Sequence, residues 1–161
     1  MHRRDLLAFS LGASAFLATA SLVGCAPQAP AAGLRVLRDD DLPMLNALIP
    51  VVLAGTQAST PLVLHSLDHT LAALSPQMLK LTRQLFDVLS LPLTRGPLTG
   101  IWGRWETASP AQVNAFLRRW SNSSLDLLRM GHASLLQLLL MAWYERPEAW
   151  AACGYPGPPK I

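Results

Sequence analysis

The sequence contains few charged residues. Asp, Glu, Lys and Arg make up 14% of its 161 residues, well below the roughly one quarter that is usual in soluble domains. Hydrophobic residues make up 51%. Either much of the surface is neutral and polar, or a partner covers some of it. The net charge of +3 comes from scattered residues, and the absence of a basic stripe with interleaved aromatic residues argues against binding of nucleic acid.

Motifs for catalysis are also missing. The sequence has no glycine-rich dinucleotide loop, no phosphate loop and no nucleophile elbow. Its few carboxylates are mostly isolated, so they indicate no acid–base pair. We therefore predict that the chain is not an enzyme and holds no cofactor of its own.

Histidines offer a weak alternative. His65 and His69 are spaced so that both rings can lie on one helical face, a spacing that can bind a metal, and His132 could complete such a site. Surface or structural histidines are the favoured interpretation, and a metal or haem carrier is the least favoured function.

Cysteine is scarce, with only Cys25 and Cys153. If Cys25 carries a lipid, Cys153 has no partner within the chain and no intramolecular disulfide forms. We expect Cys153 to be buried beside the C-terminal tail.

Residues 1–25 have the pattern of a bacterial export signal. Arg3 and Arg4 precede a moderately apolar stretch, which is typical of leaders that the twin-arginine (Tat) translocase recognises on folded proteins. The stretch ends in LVGC at residues 22–25, which resembles a lipobox. We predict export to the periplasm and attachment to the membrane surface by a lipid on Cys25. The alternatives are an uncleaved anchor helix, or ordinary cleavage near an unmodified Cys25.

The remaining chain is predicted to be one all-α domain. Residues 26–38 are rich in Pro and Ala and indicate a linker, and residues 39–161 form a helical domain with a C-terminal tail. Helical periodicity predicts a small bundle of about five helices. They are expected at residues 42–55, 61–74, 76–90, 110–120 and 124–144.

The last of these helices is predicted to be the central one. Residues 124–144 read SLDLLRMGHASLLQLLLMAWY, and a helix that is apolar on nearly all sides must be buried in a bundle or in lipid. Arg129 and His132 interrupt the apolar run, which argues against a membrane span.

Residues 91–109 are predicted to be a long irregular loop because they are rich in Gly and Pro. The loop contains Trp102, Arg104 and Trp105. Trp and Arg are enriched at interface hot spots, so these residues either bind a partner or fold back onto the bundle.

The C-terminal segment WAACGYPG, residues 150–157, follows the helix rich in Leu, Met and Trp. Together with the Tat leader and the acidic start at Asp39, Asp40 and Asp41, it resembles the gluconate 2-dehydrogenase subunit 3 family. The resemblance implies an accessory subunit that binds a large flavoprotein dehydrogenase of the GMC type, with FAD in that partner, and lends it the Tat leader.

The same resemblance directs attention to the tail. Trp150, Tyr155 and Pro156 offer rigid surface, and an extended Pro-rich tail would dock at low entropy cost. The alternative is a tail that only covers its own core. A stand-alone, membrane-anchored lipoprotein with a structural or binding role is the second hypothesis for the whole chain.

Overall fold

The computed structural model describes residues 29–157. In this range the chain forms seven α-helices and one short 3-10 turn, without a β-strand. The predicted all-α class is confirmed. The leader with Arg3, Arg4 and Cys25 lies outside the described residues.

Two more helices form than the sequence predicts. The helices are α1 (Leu42–Val52), α2 (Thr60–Ala72), α3 (Pro76–Ser90), α4 (Pro92–Thr99), α5 (Pro110–Ser121), α6 (Asp126–Tyr144) and α7 (Pro147–Cys153), and the 3-10 turn is Trp105–Thr107. None of the helices between residues 29 and 157 is long and apolar enough to cross a membrane.

Proline marks the helix starts. All of these helices except α6 have a proline at the first or second position, where the missing N–H would have no intrahelical partner anyway. At the start of α5, Ser109 and Gln112 form the capping box that their spacing indicates. The start of α5 is therefore encoded in a few adjacent residues.

Helix α1 occupies the centre of the core. Met44, Leu45, Leu48 and Ile49 are at most 1% exposed, because α1 packs against α2, α5, α6 and the 3-10 turn. The helix predicted to be central, α6, likewise packs against four elements: α1, α2, α5 and α7. Both helices therefore contribute to the core.

Helix α6 is buried on one side only. Leu135, Leu139, Ala142 and Trp143 face the core, where α6 packs against α2, α5 and α1. The other side of α6 is uncovered.

Asp68 of α2 binds the chain that leads into α1. Its Oδ2 accepts a hydrogen bond from the N–H of Arg35 at 2.8 Å, and its Oδ1 accepts bonds from Val36 and Leu37 at 2.9 Å each. Burial raises the pKa of Asp68, but these backbone hydrogen bonds, together with the nearby His65, lower it below its ordinary value. Asp68 is therefore a structural carboxylate that fixes residues 35–37.

The segment predicted as a linker is thus partly built into the domain. Ala31, Val36 and Leu37 are buried, and the guanidinium of Arg38 pairs with Asp41 and, at 2.6 Å, with Asp87 of α3. The Pro/Ala composition of residues 26–38 gave no sign of this, although Val36 and Leu37 belong to the hydrophobic core.

Candidate docking surfaces

Trp102 is the most exposed aromatic residue of the described chain, at 77%. One face of its indole lies on Gly96 of α4, where a Cβ would stand 2.5 Å from a ring atom. Leu93 is one helical turn before Gly96 on the same face of α4 and is 73% exposed. We call Leu93, Gly96 and Trp102 the Trp102 surface.

Helix α4 exists where the sequence predicts an irregular loop, and that prediction is wrong for residues 92–99. Pro92 stands in the first turn, and Gly100 ends the helix with φ of +77°, a conformation that glycine adopts without strain. The indole N–H of Trp120 donates to the carbonyl of Leu98 at 2.9 Å and fixes the end of α4 against α5. Residues that normally interrupt helices here delimit a short one.

Trp105 is part of the core. It is buried, its indole N–H donates to the carbonyl of Leu89 at 2.8 Å, and its ring packs edge-on against Phe116. The prediction of Trp105 as a partner-binding residue is therefore corrected, because its side chain is not accessible on the folded domain. Trp102 and Trp105 are three residues apart, yet the 3-10 turn directs only the second inward.

Three arginines neighbour the Trp102 surface. Arg95 precedes Gly96 in α4, Arg104 is exposed two residues after Trp102, and the guanidinium of Arg119 donates to the carbonyls of α4. Within residues 29–157, none of the three forms an ion pair with a carboxylate. We call Arg95, Arg104 and Arg119 the basic rim.

The C-terminal segment is folded, which corrects the predicted extended tail as far as Gly157. The indole N–H of Trp150 in α7 donates to the carbonyl of Tyr144 at 2.9 Å. The backbone then turns at Gly154, with φ of +66°, and the Tyr155 ring meets the Trp150 ring edge-on at 5.6 Å. Tyr155 is about half exposed.

The same segment leaves Pro156 exposed. Cys153 is exposed too, so the prediction that it is buried is wrong. It lies in the last turn of α7, whose core-facing residue is Ala149.

Helix α6 presents an apolar stripe to solvent. Leu127 is 77% exposed, and Met130, Met141 and Tyr144 are each at least 45% exposed. Helical spacing places the four on one face, and the residues between them on that face, Ala133, Ser134 and Gln137, are neutral and exposed. We call Leu127, Met130, Met141 and Tyr144 the α6 stripe. Sequence reasoning did not single it out, because the helix is apolar on its other faces as well.

The histidines do not form a metal site in the described part of the chain. His65 and His69 are exposed on α2, and His132 is half-buried in α6, where burial lowers its pKa. Among residues 29–157 no group of three or more His, Cys, Asp or Glu side chains could hold a metal ion.

An open groove runs along α1 beside the 3-10 turn, with a volume of about 500 Å³. Its ionisable lining residues are Asp39 and Glu106, and the described lining includes no histidine, cysteine or lysine.

A comparison with protein-family models, with curated proteins and with solved structures finds no match to this chain. The resemblance to the gluconate 2-dehydrogenase subunit 3 family therefore stays a prediction. The Trp102 surface, the α6 stripe and the tail are the exposed apolar features of residues 29–157 that could bind a partner.

Proposed function

We propose that this chain is a non-catalytic accessory subunit that binds a large, FAD-containing dehydrogenase of the GMC type and escorts it through the Tat pathway. The observation that carries the proposal is the α6 stripe. Large exposed apolar patches on a monomer mark interaction sites, and four large apolar side chains on one helix face form such a patch.

The chemistry of the stripe suits a protein surface. Two of its four residues are methionines, whose flexible side chains adapt to an irregular partner surface. Asp126 and Arg129, at the start of α6, pair with each other, so the stripe presents little uncompensated charge. An amphipathic helix laid into an apolar groove uses this kind of spacing.

The tail adjoins the stripe. Tyr144 is the last residue of the stripe, and its carbonyl accepts the hydrogen bond from Trp150. Tyr155 packs on Trp150, so apolar surface continues from α6 into the tail. This continuity supports the predicted role of Trp150, Tyr155 and Pro156 in binding the dehydrogenase.

The predicted leader supplies the rest of the proposal. The Tat route exports folded proteins, so a dehydrogenase that binds FAD in the cytoplasm can reach the periplasm with an escort. After export, a lipid on Cys25 would hold the complex at the periplasmic face of the membrane. The partner contributes the FAD, and this chain contributes the Tat export signal and the docking surface.

The test is a pull-down of the tagged full-length chain from periplasmic and membrane fractions, with a flavin absorbance scan of the eluate. We expect a large yellow partner at near-equal stoichiometry. Replacing Arg3 and Arg4 by lysine should then retain both proteins in the cytoplasm. A colourless, monomeric eluate would contradict the proposal and favour the stand-alone lipoprotein.

A matched pair of variants locates the contact. Leu127→Gln, in the stripe, should lower capture of the flavoprotein about tenfold or more, as expected for a hot-spot residue. Leu93→Gln replaces a leucine of similar exposure outside the stripe and should leave capture unchanged.

A further inference from the structure

The Trp102 surface differs from the α6 stripe in its surroundings. The charged neighbours of the stripe, Asp126 and Arg129, pair with each other, whereas Leu93 and Trp102 have the basic rim beside them. Residues 91–123 contain four arginines and one acidic residue, Glu106. Arg104 is exposed, Arg95 is half-buried, and Arg119 is bound to carbonyls of α4, so this surface combines apolar side chains with positive charge that no carboxylate neutralises by an ion pair.

That combination matches the interface of an anionic bilayer. Trp is enriched at the headgroup level, where its ring is partly in apolar surroundings and its N–H reaches polar groups. Basic residues near the bilayer are attracted by acidic lipids. The indole of Trp102 is held flat on Gly96 and stays exposed, so it can contact lipid without a rearrangement of the domain.

The start of the described chain is linked to α4 through Arg38. Ala29 and Pro30 line a small cleft together with Arg38, Asp39 and Asp40. Arg38 pairs with Asp87 at 2.6 Å, and the carbonyl of Asp87 accepts the N–H of Leu91, the residue immediately before α4. A short chain of contacts therefore connects residue 29 with the beginning of α4.

The connection between residue 29 and α4 matters because the lipid is predicted on Cys25, a short distance before residue 29 in the sequence. Cys25 is four residues before Ala29, and four residues span at most about 14 Å. A diacylglyceryl group on Cys25 would thus hold the membrane within reach of the end of the domain where α4 begins.

We propose that the Trp102 surface is a membrane-contact site, in which Leu93 and Trp102 enter the headgroup region of an anionic bilayer and the basic rim faces lipid phosphates. The proposal rests on the proposed function for the nearby lipid anchor, and it adds the orientation of the helical domain relative to the membrane. It assigns Trp102 and Arg104, which the sequence predicts to bind a partner protein, to lipid, and leaves the α6 stripe to the dehydrogenase. A diacylglyceryl group already carries two acyl chains, so the lipid alone gives stable attachment and the basic rim would set the orientation of the domain.

The test uses tryptophan emission from the full-length chain, purified from membranes and reconstituted in vesicles of phosphatidylethanolamine and phosphatidylglycerol with brominated acyl chains. Of the five tryptophans, Trp105, Trp120 and Trp143 are buried and Trp150 is half-buried. Bromine quenches at contact, so loss of emission reports mainly on Trp102. We expect quenching in the wild type, and most of it should disappear in Trp102→Phe.

Two further arms test the lipid chemistry. Replacing phosphatidylglycerol by phosphatidylcholine, or raising the salt concentration, should reduce quenching because both weaken the attraction of the basic rim. Arg104→Gln should do the same. Leu93→Gln should reduce quenching, whereas Leu127→Gln, at a leucine of similar exposure in the α6 stripe, should not. Far-UV circular dichroism checks that each variant is folded.

Equal quenching in the wild type and Trp102→Phe would overturn the inference. So would loss of flavoprotein capture in Leu93→Gln and Trp102→Phe with quenching unchanged, because the surface would then bind protein. The proposed function fails separately: quenching that depends on Trp102, together with a colourless pull-down, would support the membrane contact and contradict the escort role.

Discussion

Helices α1 and α6 are both rich in apolar residues, but they are covered to very different extents. The apolar face of α1 is fully enclosed by four other elements. Helix α6 is longer, at 19 residues against 11, and exposes a whole apolar stripe. The apolar content of a helix therefore indicates how much of its surface should be buried, but it does not indicate whether the same chain or a partner buries that surface. For α1 the cover is this chain, and for the stripe of α6 we propose a partner.

The largest expected effect compares the same substitution in the two helices. Leu48→Ala in α1 should lower the free energy of unfolding by about 3 kcal/mol, because it leaves a cavity in an enclosed core. Leu127→Ala in the stripe should change it by less than about 0.5 kcal/mol. Urea unfolding followed by circular dichroism measures both. Similar losses in the two variants would mean that the stripe is covered within the chain, and the comparison would fail.

The second prediction concerns the segment that enters α1. Asp68→Asn should cost about 2–3 kcal/mol, because three backbone N–H groups lose a charged acceptor and one of the carboxylate oxygens is replaced by an amide donor. The measurement is again the urea midpoint, now with Asp126→Asn as a matched control. Asp126 is exposed in α6 and binds only a neighbouring arginine, so its loss should have little effect.

The same carboxylate gives a pH dependence. Since the folded-state pKa of Asp68 lies below its unfolded value, its contribution is complete above the unfolded pKa of about 3.9 and is lost as the pH falls through the folded pKa. The wild type should therefore lose stability in acid more steeply than Asp68→Asn. Parallel curves of unfolding free energy against pH for the two proteins would contradict this role.

The smallest change in the free energy of unfolding is expected for a substitution at Gly131, where α6 packs against Trp120 of α5. A Cβ at Gly131 would lie 2.7 Å from the Trp120 ring, and the hydrogen bond from Trp120 to Leu98 restrains that ring. Gly131→Ala should therefore destabilise by about 1 kcal/mol, as overpacking exceeds the gain in helix propensity. Ser134→Ala, on the exposed side, should stabilise slightly. A stabilised Gly131→Ala would show that α5 and α6 do not approach closely.

Sequence patterns predicted the class of fold and most helix positions, because start signals are local. The prediction for α3, residues 76–90, matches the observed bounds, and the capping box at Ser109 and Gln112 forms as its spacing indicates. α4 and α7 were missed, although Pro92 and Pro147 stand in their first turns and Gly100 and Gly154 follow their ends. Pro92 and Gly100 count toward the predicted loop over residues 91–109, and in the structure they are helix boundaries.

Tertiary placement was harder to predict. Trp102 and Trp105 are the same residue type and lie three positions apart in the sequence. The 3-10 turn that begins at Trp105 directs the Trp105 ring into the core, while the Trp102 ring stays exposed. The structural role of Asp68 was not predicted because its partners are backbone N–H groups, which every residue type except proline has, so the sequence pattern does not reveal them. In α6, helical spacing relates Leu135, Leu139 and Trp143, which are buried in the structure, and leaves Leu127, Met130 and Met141 on other sides.

The contact between Asp68 and residues 35–37 also has a mechanical consequence. Three consecutive backbone N–H groups end on one carboxylate, and that carboxylate belongs to α2. Tension applied to the chain before residue 29 is therefore borne by the contacts of residues 31–37 before it can unwind α1; they include this one with α2 and the bond from the N–H of Ala31 to the carbonyl of Leu37. The amino-terminal segment is thus anchored to α2, and a force that pulls on this segment acts on its anchoring contacts before it acts on the core.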